Sequence, residues 1–194
     1  MRRRRRCLKR QDAGHCPVPP VEGLDLKVLG IVGWSGSGKT TLLVAVLPLL
    51  RAAGVSVSTI KHAHHGFDMD LPGKDSHRHR LAGAHEVVVA SSRRWALLHE
   101  VVGSEPDLPD LLARMAPVDL VLVEGFKSHP YPKLEVFRPI LGKPSLWDHE
   151  PEVVAVASDS TPDIGKRTLL PLNQPDTIAT WIRTHVVTDI APGS

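Results

Sequence analysis

Residues 33–40, Gly-Trp-Ser-Gly-Ser-Gly-Lys-Thr, match the pattern GxxxxGK[ST] in full. Few eight-residue strings restrict a fold so tightly. With glycine near ~7% of residues, a chance match is expected in roughly one chain of this length in a hundred. The flanks narrow it further. Lys27–Val32 (KVLGIV) is a short apolar run that reads as a buried strand of a parallel sheet. Lys39–Ala53 reads as a helix stopped by Gly54, with Pro48 expected to bend or interrupt it. A strand, a glycine loop and a helix N-terminus in that order form an anion nest, because backbone N–H groups turn inward and the helix end adds partial positive charge. Lys39 is placed to neutralise the β- and γ-phosphates of a nucleotide, and the Thr40 hydroxyl to ligate magnesium. A loop that merely joined a strand to a helix would not need that Lys-Thr pair. The expectation is a nucleoside triphosphate site built from Gly33, Trp34, Ser35, Gly36, Ser37, Gly38, Lys39, Thr40 and Thr41.

Downstream, strand and helix patterns alternate. Strands are expected at Val55–Ile60, Glu86–Ala90, Trp95–His99, Leu120–Val123, Lys133–Arg138 and Val153–Ala157. Helices are expected between Asp75 and Gly83, at Pro106–Met115 and at Pro175–Val187. The fold class this implies is α/β: a P-loop NTPase-like, mostly parallel sheet flanked by helices, with a strand-pair extension. At 194 residues, 42% hydrophobic and 23% charged, the composition is that of a soluble globular protein with one nucleotide-binding domain over residues 25–190. No run of ~18 apolar residues exists to span a membrane.

The formal charge of +3 suggests an anionic partner until its placement is considered. Seven of the 24 Lys and Arg fall in residues 1–10, leaving 17 against 21 Asp and Glu in the rest. The basicity belongs to a leader, residues 1–24, which reads as disordered and lacks the interleaved aromatics of a nucleic-acid binder. Both cysteines, Cys7 and Cys16, lie in it. QDAGHCPVPP stands where a secretory signal would place its apolar stretch, and a cytoplasmic location is expected.

A P-loop site needs an acid at the C-terminal end of a neighbouring strand to hold magnesium or its water. Asp119 and Glu124 flank the strand LVLV and so stand at its opposite ends. Ligands of open α/β sheets bind beyond the carboxyl ends, which selects Glu124 with Thr40 for the metal and leaves Asp119 as a loop or cap residue. A late strand, VVAVA, ends in Ser158-Asp159. A carboxylate there suits the N1–H and 2-amino donors of guanine, and equally suits a turn or cap. The segment carrying His62, His64, His65, Asp68 and Asp70 allows a metal cluster. The preferred reading is a polar loop that needs no metal beyond magnesium. Asp68, Asp70, Lys74 and Asp75 follow the second strand, which puts them at the edge of the phosphate loop, either sensing the γ-phosphate or forming an ordinary crossover.

Four strings together, IVGWSGSGKTT, STIKHAHHGFDMDLPGKDSHRHRLAGA, VDLVLVEGFKSHPYPKLEVFR and VAVASD, resemble the molybdopterin-guanine dinucleotide biosynthesis protein B family over about residues 27–187. The resemblance implies a GTP-binding adaptor, a homodimer with weak GTPase activity. It also implies a partner, the nucleotidyltransferase that attaches GMP to molybdopterin, with molybdopterin itself a further candidate ligand. By position, Gly33 to Thr41 would hold the phosphates of GTP, Thr40 and Glu124 a Mg2+ ion, and Asp159 the base. Lys74 and Asp75 would belong to the family's characteristic loop. Two other classes share the phosphate loop: a small-molecule kinase, for which Arg78, Arg80, Arg93 and Arg94 could supply a lid, and a metallochaperone GTPase using the histidines.

Overall fold

Strand β1 (Lys27–Val32) is apolar on both faces because it lies mid-sheet, and every residue after Lys27 is buried. The computed structural model describes residues 26–63 and 66–187. The leader expected over residues 1–24, with Cys7 and Cys16, lies outside them, as do His64 and His65. After β1 come α1 (Lys39–Ala52), β2 (Val57–Lys61), α2 (Asp75–Leu81), β3 (Glu86–Ala90), β4 (Trp95–His99) and α3 (Leu108–Leu112). They are followed by β5 (Leu120–Glu124), β6 (Lys133–Phe137), a 3-10 turn at Pro139–Leu141, β7 (Val153–Ser158), β8 (Thr168–Pro171) and α4 (Pro175–His185).

Two compact units result, residues 62–116 and the remainder. The larger carries a six-stranded sheet in the order β2-β5-β1-β6-β7-β8, with every pair parallel. Side chains of alternate parity leave the two faces. Leu29, Ile31, Leu120, Leu122, Leu134, Val136, Ala155 and Ala157 pack on α1 through Leu42, Leu43, Val46 and Leu50, and on α4 through Ile178, Ala179, Trp181 and Ile182. A smaller cluster of Val32, Trp147, Val153, Val156 and Ile164 closes part of the core. Because all six strands are parallel, the C-terminal ends of β1, β5, β6 and β7 share one edge. The register pairs Ile31 with Glu124, Val32 with Glu135, and Phe137 with Ser158.

Helix α1 runs unbroken through Pro48. Proline removes the bond to the carbonyl four residues back, that of Val44, but both residues lie on the exposed face, where the orphaned carbonyl is open to solvent. The expected helix at Pro106–Met115 shortens to the five residues of α3, capped by Asp107, whose carboxylate accepts from the Leu108 N–H at 2.7 Å. The smaller unit pairs β3 and β4 as an antiparallel hairpin with Ala90 opposite Trp95. Its centre of charge is Arg80, which donates to both oxygens of Asp68 at 2.9 Å, to Asp70 at 3.2 Å and to Glu100 at 3.3 Å.

Candidate functional site

The loop between β1 and α1 bends through positive φ at Gly33, Gly36 and Gly38 (142°, 80° and 100°), conformations open to glycine that let a phosphate loop turn backbone N–H groups toward an anion. Gly33 is further constrained from outside. A Cβ there would stand 2.5 Å from the carbonyl oxygen of Val136 on β6, so only glycine lets the loop leave β1 this close to its neighbour.

Lys39, the first residue of α1, donates to the carbonyls of Gly33 and Trp34, both at 3.0 Å. These bonds hold the ammonium across the mouth of its own loop. Partial burial draws its pKa down, the Glu124 carboxylate opposes that, and Lys127 and Lys61 add to the depression. Thr40 Oγ1 lies 3.5 Å from Glu124 Oε2. Adjacent oxygens in an octahedral magnesium shell stand about 3 Å apart, so this hydroxyl and carboxylate fit two neighbouring positions on or just outside such a shell. Ser37 Oγ is buried inside the loop with no hydrogen-bond partner among the described residues. A nest of inward N–H groups, a lysine, a hydroxyl beside a carboxylate and an unsatisfied buried oxygen fit a magnesium-bound triphosphate.

Glu124 is steadied from behind. Gly125 and Phe126 follow with φ of 111° and 47°, and the carbonyls of both lie within 2.8 Å and 2.7 Å of the Tyr131 hydroxyl. Burial pushes that hydroxyl's pKa well up, so it stays a proton donor across the working pH range. Asp119, at the other end of β5, accepts from the Ser56 N–H and hydroxyl at 2.7 and 2.6 Å and ties the start of β5 to the approach to β2. Its pKa is lowered by those bonds.

Asp159 follows β7 and lines a cleft of about 380 Å³ with Ser160, Thr161, Asn173 and Gln174. Its Oδ2 accepts from Arg138 Nη1 at 2.8 Å, and Arg138 Nε donates to the Ser37 carbonyl at 3.0 Å. Sequence reasoning did not single out Arg138, Tyr131 or the neighbours of Trp34. The signal available for the first was position alone: Arg138 ends a strand beside the P-loop strand. Trp34 Nε1 donates to the Pro144 carbonyl at 2.7 Å, and the ammonium groups of Lys127 and Lys143 stand 5.6 and 5.7 Å from its ring.

Two charged side chains of the KLEVFR segment are buried. Lys133 Nζ donates to the His129 carbonyl and pairs with Glu150 and Glu152. Glu135 accepts from the N–H groups of Leu146 and Trp147 at 3.0–3.1 Å. Its pKa is raised by burial, against which the two N–H bonds pull.

The residues of the His and Asp segment that are described belong to the smaller unit. His62 pairs with Glu105 at 2.6 Å, and Asp68 and Asp70 bind Arg80. Among the described residues no three His, Cys, Asp or Glu side chains gather to hold a metal ion. Lys74 precedes α2, and Asp75 opens it 3.8 Å from Arg78. Arg80, with three carboxylate partners, is committed to this unit's own structure.

Against known proteins, residues 28–159 match the family described as Molybdopterin guanine dinucleotide synthesis protein B. The chain is 46% identical over 138 residues to the molybdopterin-guanine dinucleotide biosynthesis adapter protein of Escherichia coli K12, covering 69% of this chain and 79% of that one. It is 44% identical over 160 residues to the adapter protein of the same name from Haemophilus influenzae, covering 81% and 88%. Among solved structures, a crystal structure of molybdopterin-guanine biosynthesis protein B superposes with a TM-score of 0.66 at 31% identity, covering 81% of this chain and 97% of that one.

Proposed function

The chain belongs to the molybdopterin guanine dinucleotide synthesis protein B family, and from that premise we propose that it is a GTP-binding adapter in molybdopterin guanine dinucleotide biosynthesis. It assists the nucleotidyltransferase that joins GMP to molybdopterin. The observation that carries the nucleotide is the meeting of Thr40 with Glu124 at 3.5 Å beside Lys39, at the mouth of a loop whose backbone already forms an anion nest. Gly33 to Thr41 hold the phosphates of GTP, Thr40 and Glu124 hold Mg2+ directly or through its water, and Asp159 accepts from the base. A magnesium ion held by Thr40 and Glu124 would supply charge neutralisation for the triphosphate. Lys39 exchanges two carbonyl contacts for phosphate oxygens.

Slow hydrolysis at most is expected, and the adapter works mainly by delivering or ordering nucleotide for its partner enzyme. The hairpin supports a homodimer. Val88, Val89, Trp95 and Leu97 are exposed on a two-stranded sheet, an arrangement that is marginal alone and favours a second copy. No helix among the described residues is long and apolar enough to cross a membrane, and we place the adapter and its partner in the cytoplasm.

The test is reconstitution of GMP attachment with purified nucleotidyltransferase. Stimulation by the wild-type chain and its loss with Lys39→Ala support the proposal. Rapid, acceptor-dependent loss of γ-phosphate without the partner enzyme would instead identify a small-molecule kinase.

A further inference from the structure

Arg138 bridges the phosphate loop and the residue that follows β7. It follows β6, between β1 and β7, and strands spaced about 4.8 Å apart put the end of β7 roughly 10 Å across the edge from β1. From that midpoint Nε reaches the Ser37 carbonyl of the phosphate loop at 3.0 Å, and Nη1 reaches Asp159 Oδ2 at 2.8 Å. Nε and Nη2 also lie 3.8 Å from where a Cβ on Gly38 would stand. The side chains of Arg138 and Asp159 are 34% and 26% exposed, so the link is partly shielded yet open to a ligand.

Both attachments have consequences for nucleotide binding. The Ser37 carbonyl and the Gly38 N–H belong to one trans peptide and point in opposite directions. Fastening the carbonyl outward to Arg138 therefore turns the Gly38 N–H toward the loop interior. At the other end, only Oδ2 of Asp159 is occupied, and Oδ1 faces no partner among the described residues. A carboxylate held by one oxygen presents the other in a fixed place at the rim of the cleft lined by Asn173 and Gln174.

We propose that Arg138 is a positioning residue that makes base recognition and phosphate-loop geometry a single event. It holds Asp159 for the 2-amino and N1–H donors of guanine while it holds the loop for the triphosphate. This rests on the GTP reading above and adds the residue that couples its two halves. Lysine is a poor substitute, because all its donors sit on one nitrogen, whereas the guanidinium uses Nε for Ser37 and Nη1 for Asp159 in one rigid plane.

The experiment titrates full-length wild type, Arg138→Lys and Arg138→Met with GTP, with ITP, whose base lacks the 2-amino group, and with inorganic tripolyphosphate, all with magnesium, and records thermal unfolding alongside. Wild type is expected to prefer GTP to ITP by about tenfold or more, the size of one buried hydrogen bond to a charged group. In both variants that ratio should fall below about threefold, with GTP and tripolyphosphate each binding several-fold more weakly and the unfolding midpoint little changed. A GTP to ITP ratio that survives in either folded variant overturns the positioning role and leaves the GTP reading standing. A wild type with no preference between GTP and ITP overturns the guanine reading and this inference together.

Discussion

Gly30 sits in the middle of β1, where glycine is normally a liability, and its replacement by alanine should damage both stability and the site. Its register partners are Val123 on β5 and Lys133 on β6, so it lies at the centre of the sheet. A Cβ built on Gly30 meets Tyr131 Cε2 at 2.4 Å and Lys133 Cγ at 3.1 Å. The Tyr131 ring would have to retreat by more than 1 Å to restore ordinary carbon–carbon contact near 3.5 Å. It has little room, being 3% exposed and pinned through its hydroxyl to Gly125 and Phe126. Overpacking of this kind costs about 1–3 kcal/mol, and losing the hydroxyl's bond adds roughly 1 kcal/mol. Gly30→Ala should therefore destabilise by about 2–4 kcal/mol, read as a drop of roughly 6–12 °C in Tm for a chain of this size. Urea unfolding of Gly30→Ala, Tyr131→Ala and the double variant tests the cause. If the ring is the obstacle, the double variant costs at least ~1 kcal/mol less than the sum of the singles. Strict additivity, or a Gly30→Ala protein within ~0.5 kcal/mol of wild type, would refute the packing argument.

Other expectations follow from named groups. Glu124→Gln should abolish the gain in GTP affinity that magnesium brings, whereas Asp119→Asn, changed at the opposite end of the same strand, should leave that gain intact in the same titration. Glu135 has a folded pKa raised above its ordinary value near 4.5, so its proton-linked stability is full below that pH and is lost as pH rises through the higher folded value. Urea midpoints measured from pH 4 upward should decline across that window in wild type and flatten in Glu135→Gln. For Asp119 the sign reverses. Its lowered pKa gives stability above about 3.8 that is lost as the solution is acidified, and Asp119→Asn should remove that loss.

What could be read from the chain alone was chemistry carried on neighbouring residues. The run from β1 through Gly33–Thr40 into α1 is local: strand, nest and helix are contiguous, and each signal supports the next. The placement of Glu124 at the Thr40 end of β5 was legible because a strand has two ends and parallel sheets bind ligands at only one of them. Pro48 misled because its cost depends on where the orphaned carbonyl faces, which is a tertiary fact. Strand β8 was not foreseen. It is four residues long, lies at the sheet edge and ends in proline, so neither alternation nor length announced it. Arg138 and Tyr131 were invisible for a different reason. Arg138 acts on Ser37, 101 residues away, and on Asp159, 21 residues away, and the value of Tyr131 depends on the missing Cβ of Gly30. No spacing pattern encodes such meetings. The same holds for Asp68 and Asp70, whose acidity looked available for a ligand until Arg80 was seen to take both.

If one loop and two strand ends make a guanine nucleotide site, base selectivity and magnesium dependence must appear together. Isothermal titration of the full chain with GTP and with ATP, with magnesium and then with a chelator, tests it most directly. One GTP per chain, weaker binding without magnesium, markedly weaker ATP, and no GTP binding by Lys39→Ala are expected. ATP bound as tightly as GTP, or Lys39→Ala binding GTP undiminished, would contradict it.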